Sequence, residues 1–226
     1  MSLALSYSLL AALILMLSAG LSMIIRLPKN SLSFLQHFAA GVIFSAVAVE
    51  LIPRLLQSHL KWDIALGFLV GVLCMLLIRK FGESNGTSPT ALLTGYGVDL
   101  WIDGVLIALA FLAAERSGII ITGALCLEVT FLMFALVPSL KSRGASKITI
   151  ATACLILAAL IPFGTAIGYL VIYQLPAGVF EGTLAFGVAA LLYLVTEELL
   201  YEAHQKVDSA LGTAAFFFGF LVILLL

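Results

Sequence analysis

The sequence predicts an all-α, polytopic membrane protein: a single transmembrane domain, residues 1–226, crossing the bilayer eight times. Three observations predict it. Hydrophobic residues make up 63% of the chain and charged residues only 10%, with a mean hydropathy of +1.21; soluble domains are about 45–50% apolar and about 25% charged. The apolar residues come in blocks close to the roughly 20 residues that a spanning helix needs. Proline, glycine and charge collect in the gaps, and no gap is long enough to hold a soluble domain.

The blocks run over 4–26, 32–56, 62–80, 89–114, 117–140, 148–174, 179–202 and 206–226. The first begins at Leu3 with no basic residue before it, unlike a secretory signal with its positive leading region, so it is expected to remain as a span. Pro28, Pro89 and Pro176 mark loops or helix starts, whereas Pro53, Pro138 and Pro162 fall inside spans as sites for kinks. Cys74, Cys126 and Cys154 lie within apolar segments and match no zinc spacing; they are expected to be small core hydrophobes, with no disulfide.

Lysine and arginine set the expected orientation. Odd-numbered loops hold Arg26, Lys29, Arg79, Lys80, Lys141, Arg143, Lys147 and Lys206, against Arg54, Lys61 and Arg116 in even-numbered ones. Cytoplasmic loops carry the basic excess, so both termini are expected outside, in the cell (inner or plasma) membrane. The net charge of −1 gives no ground for a nucleic-acid partner.

Spans 2 and 7 share a faint repeat. FLQHFAAGVIFSAVAVEL aligns with FEGTLAFGVAALLYLVTEEL, pairing Phe34, Ala39, Gly41, Val42 and Val49 with Phe180, Ala185, Gly187, Val188 and Val195 at one offset. The two spans cross in opposite senses, as in transporters built from inverted repeats around a mid-membrane site.

Candidate chemistry lies in the acids. Asp99 and Asp103 are four residues apart near the middle of span 4, hence on one helical face. Glu128 lies near the middle of span 5, which a very short turn joins to span 4. A carboxylate at the bilayer centre costs about 2.5–3.5 kcal/mol even on the lenient insertion scale. No Lys, Arg or His shares that depth in any span. Three acids at one level therefore point to a cation from solution, a metal ion or a proton; the plainer reading is three protonated acids hydrogen-bonded to neighbours. As a metal site, hard oxygen ligands suit Mg, Mn, Fe(II) or Zn. Glu50 near the outer end of span 2, and Glu197 and Glu198 near the inner end of span 7, are candidate pathway acids. Glu202 and His204 read as a solvated helix end, and His37 and His59 as interfacial rather than ligating.

Other matches carry less. GESNG, Gly82–Gly86, fits a hydrolase elbow but lacks the strand that motif follows. Asn85-Gly86-Thr87 fits a glycosylation acceptor in a loop expected to face inward. Gly95 and Gly97 precede the acids by a turn, where they either loosen the helix or allow close packing. With no nucleophile–base set and no H-E-x-x-H, an enzyme is not expected.

These residues resemble the ZIP (Zrt/Irt-like) family of divalent-metal transporters. The resemblance runs through HFAAGVIFSAVAVELIP on span 2, DLWIDGVLIALAF on span 4, LEVTFLMFALVPSL on span 5 and LPAGVFEGTLAFGVAALLYLVTEELL through span 7. It implies a 3+2+3 plan with inverted outer repeats, and a metal importer working by alternating access. Asp103-Gly104 match the end of the family's span 4 motif. Asp99 falls at its histidine and Leu100 at its asparagine. Glu128 matches the span 5 acid, while Leu127 and Phe131 replace its flanking ligands. The expected substrate is then a divalent cation, Zn, Mn or Fe, held by Asp99, Asp103 and Glu128 without an organic cofactor. A homodimer in the lipid bilayer is also consistent with the family. Three carboxylates leave a dication site at −1, so a proton is a candidate companion, and without an ATP-binding motif the ion gradient or membrane potential must supply the energy. Alternatives are a non-transporting ZIP-like metal sensor or assembly partner and, less favoured, an intramembrane enzyme.

Overall fold

Backbone N–H and C=O groups in lipid have no water to pair with, so long apolar blocks fold as helices that satisfy their own. A computed structural model describes residues 1–25, 27–84, 89–206 and 210–226, and among them the chain is helical with no strand. The helices are α1 (Ser2–Ile24), α2 (Lys29–Ala46, carried on through a π-helical turn Val47–Leu51 and a short helix Ile52–Gln57), α3 (Lys61–Ser84), α4 (Pro89–Ala113), α5 (Glu115–Ser142), α6 (Lys147–Ile172), α7 (Ala177–Tyr193, then a π-helical turn Leu194–Leu199 and Leu200–Lys206) and α8 (Ala210–Leu224). Seven are long and apolar enough to cross a membrane; α8, at 15 residues, is shorter than its predicted block. The chain is a membrane-embedded helical protein. Gly82–Ser84 close α3 rather than forming a loop, while Arg26 and, of the two motif matches, Asn85, Gly86 and Thr87 lie outside the described residues.

Local chemistry explains the boundaries. At the end of α5, Gly144 adopts φ +83, Ala145 N–H donates to the Leu140 carbonyl and Gly144 N–H to the Lys141 carbonyl; this left-handed glycine cap closes the helix. Ser146 Oγ then accepts from Thr149 N–H and opens α6. Pro138 and Pro162 stand inside continuous helices, each omitting one ladder bond. Pro53 follows the π turn of α2, at the start of its last helical piece.

Packing sorts the helices into core and periphery. In α5, 56% of the apolar stretch is buried, against 11% in α3, where Leu66, Leu69, Leu73 and Leu77 all stand exposed on the lipid side. Lipid tails are as apolar as leucine, so these helices associate through close backbone approach at small residues. A Cβ on Gly41 would fall 1.9 Å from the Phe216 carbonyl oxygen, and one on Gly67 2.0 Å from that of Gly182. The principal partners are α2 with α8, α3 with α7, α4 with α6 and α1 with α5. Exchanging α1 for α6, α2 for α7, α3 for α8 and α4 for α5 returns the same four pairs.

Candidate metal centre

Helix α4 is held by its two faces. One packs on α6: a Cβ on Gly104 would meet the Ile161 carbonyl oxygen at 2.1 Å, and Thr165 Oγ1 donates to the Gly104 carbonyl at 2.8 Å. Gly97, nearer the helix start, faces Leu160 and Leu157 of α6, while nothing lies within 4 Å of a Cβ on Gly95; for Gly97 close packing is the role. The other face turns Asp99 and Asp103 toward α5. That helix is anchored in turn by Thr130, whose hydroxyl donates to the Cys126 carbonyl and accepts from Ser18 of α1.

Asp99, Asp103 and Glu128 each bring one carboxylate oxygen within 4.8 Å of the others. Asp103 and Glu128 are each 3% exposed, among fully buried neighbours such as Leu100, Ile107 and Leu125. Asp103 Oδ2 and Glu128 Oε2 have no hydrogen-bond partner. Among the described residues the ion pairs lie elsewhere, at Arg79–Glu197 and Arg116–Glu50. Three oxygens this close share a centre within about 2.8 Å of each, so drawing in by a few tenths of an ångström would give the ~2.3–2.6 Å oxygen bonds of Ca, and by about 0.7 Å the ~2.0–2.1 Å bonds of Mg. The arrangement can hold a hard divalent cation, or it must hold protons to relieve its own repulsion.

The other predicted acids separate into two kinds. Glu50 sits in the π turn of α2, its side chain 9% exposed, accepting from Arg116 Nε at 3.1 Å and Ser117 Oγ at 2.9 Å. Beside it Arg54 donates to the Ala113 carbonyl at the end of α4 and lies over the Phe180 ring of α7. Glu197, in the π turn of α7, pairs with Arg79 at the end of α3. Glu198 lines a small cavity with Glu128, Gln36 and Tyr96. The side chain of Glu202 lies outside the described residues.

The histidines need one correction. His37 is 2% exposed, inside the protein rather than at an interface. Its Nδ1 donates to the Ser33 carbonyl, its ring meets His204 edge-on at 5.0 Å, and it packs against the Gly212 backbone of α8. His204 is exposed, with Nδ1 on the Leu200 carbonyl, and His59 is exposed in the α2–α3 loop. All three cysteines are free, and Cys154 Sγ touches Met133 Sδ at 4.0 Å.

Sequence reasoning passed over Gln36 and Tyr96, which share the cavity with Glu128, and Arg116, the partner of Glu50. Gln36 carried a usable signal, an uncharged polar side chain one turn inside an apolar span. No protein-family model matches the chain, and no curated protein matches it. The chemistry of the site is read from its own atoms.

Proposed function

We propose that this protein is a divalent-metal transporter of ZIP-like plan, an importer whose substrate cation is bound by Asp99, Asp103 and Glu128 halfway along α4 and α5. One observation carries the reading. Buried carboxylates from two neighbouring helices converge, and two of their oxygens meet no donor among the described residues. A resident positive partner would make the cluster a structural ion pair; among the described residues no ion pair reaches it, which leaves the charge for a guest.

Further support comes from the helix pairing, which is unchanged when the first three helices are exchanged for the last three and α4 for α5, and from the π turns at matching places in α2 and α7. Such turns recur at functional sites. With the basic excess inside and both termini outside, Glu50 belongs to the outer mouth and Glu198 to the inner one. The cation exchanges water for carboxylate oxygen at the centre, and movement of α4 and α5 against the outer helices opens the opposite mouth. An oxygen-only set accepts Mn or Fe(II) readily and Zn with less preference. The membrane potential favours inward movement of a dication by about 2.3 kcal/mol per charge per 100 mV.

A second reading, a non-transporting metal sensor, is favoured by Phe131. It is buried beside Glu128, where the family would supply a ligand. Uptake of Zn, Mn, Fe, Co, Cd and Mg into proteoliposomes separates the readings. The transporter gives uptake of at least one metal that Asp103→Ala abolishes. Equal uptake by the variant, or no uptake of any metal by the native protein, overturns it; binding without flux establishes the sensor.

A further inference from the structure

We infer that the groove between the first halves of α4 and α6 is a binding site for one anionic phospholipid, with an acyl chain lying in the groove and the headgroup held by Lys141 and Lys147 at its mouth. The groove is on the back of α4, away from its carboxylates, and needs no metal.

The two helices run parallel and meet backbone to backbone near their middles. A Cβ on Gly104 would fall 2.1 Å from the Ile161 carbonyl oxygen, and one on Gly164 2.3 Å from that of Trp101. Toward their starts they part: a Cβ on Gly97 would meet only the side-chain ends of Leu160 and Leu157, at 3.3 and 3.7 Å, and one on Gly95 nothing within 4 Å. The wedge between them is a cavity of about 580 Å³, running from Leu93 to Trp101 on α4 and from Thr149 to Leu160 on α6; ligand clefts measure roughly 300–1,000 Å³. At 1.5 Å per residue the α6 wall is ~16 Å long, close to the ~15 Å of one leaflet in a hydrocarbon core about 30 Å thick. Its deep part is apolar, with Val98, Trp101, Ile156 and Leu160, and its shallow part carries the hydroxyl of Thr149. Charge identifies the headgroup. The wedge opens toward the α5–α6 loop, where Lys141, Arg143 and Lys147 are all exposed, and no Asp or Glu occurs between Glu128 and Glu181. Basic residues beside a membrane surface attract anionic lipid, and in the orientation proposed above this end faces the cytoplasmic leaflet, where anionic lipid collects. A second copy docked here about a two-fold axis along the membrane normal would bring the same basic loop to the same end, charge against charge, so lipid is the better-matched occupant. Asp99 and Asp103 face α5 from the other side of α4, so a chain in the wedge backs the helix that carries them.

Bromine on an acyl chain quenches tryptophan fluorescence on contact, which tests this directly. The protein has two tryptophans, and Trp62→Phe leaves Trp101, 37% exposed on the groove. That variant is reconstituted in phosphatidylcholine vesicles containing rising fractions of dibromo-phosphatidylglycerol or of dibromo-phosphatidylcholine. Trp101 is expected to reach half-quenching at a fraction of the anionic lipid lower by about fivefold or more, the factor that one basic residue near the surface contributes. Lys141→Gln/Lys147→Gln should remove the preference, and so should Ala153→Phe, which fills the groove and keeps the charge. Gel filtration and helical circular dichroism of each variant confirm that it is folded. Equal quenching by the two lipids makes the groove ordinary lipid-facing surface and overturns the site. A preference that survives Ala153→Phe puts the anionic lipid on the loop alone, and one that survives the lysine pair removes the headgroup contact; either overturns the site as assigned. Quenching by neither lipid overturns it too, and in a protein that runs as a dimer gives the groove to a second copy.

Discussion

Two sets of acids in this molecule differ in their company. At the ends of the bundle, Glu50 meets Arg116 and Ser117, and Glu197 meets Arg79. Halfway along it, Asp99, Asp103 and Glu128 meet each other, and no arginine or lysine among the described residues pairs with them. Desolvation is severest at the middle, so the set most in need of a counter-charge is the one without a resident partner. A leftover buried acceptor costs about 1–3 kcal/mol, and more when charged.

Breaking the central set should have the largest effect. At an effective dielectric of about 20, unit charges 4 Å apart interact by about 4 kcal/mol; losing one carboxylate from a dication should cut affinity by at least about 100-fold. Asp103→Ala is therefore expected to abolish saturable Mn²⁺ uptake at concentrations that saturate the native protein. The same site without metal is self-repelling, which sharpens the contrast. Asp103→Asn should unfold at a higher temperature than the native protein in chelator. Metal at 100 times its dissociation constant adds about 2.7 kcal/mol to a protein that binds it, and thermal melts should show this gain in the native chain but not in the variant.

The end pairs should behave oppositely. Glu50→Gln removes a half-buried charge from two donors and should cost about 1–2 kcal/mol of stability, read as a lower melting temperature with Mn²⁺ affinity at the centre unchanged. Arg79→Gln should matter least. Its pair with Glu197 is 41% and 42% exposed, and exposed pairs contribute below about 1 kcal/mol. If Arg79→Gln melted far lower than Glu50→Gln, the ranking by burial would fail.

Much of this was legible in the residues. Block length gave the helices to within a few positions: the fourth block, 89–114, is observed as Pro89–Ala113. Spacing of four put Asp99 and Asp103 on one face, and a very short turn, expected around Arg116–Ser117 and observed at Ala114, required α4 and α5 to lie side by side. What stayed hidden depends on contacts between distant segments. His37 reads as interfacial by its place near a span start, yet the Gly212 backbone of α8 covers it. The partners of Glu50 and Glu197 are 66 and 118 residues away, beyond any local pattern. The π turns that carry both glutamates leave no composition signal, because one extra residue in a helical turn looks like any other apolar step.

The most direct test is anomalous diffraction at the manganese edge from crystals of the native protein grown with Mn²⁺. The account predicts a peak within bonding distance of carboxylate oxygens from Asp99, Asp103 and Glu128. An ordered site with those three side chains in place and no peak between them would contradict it.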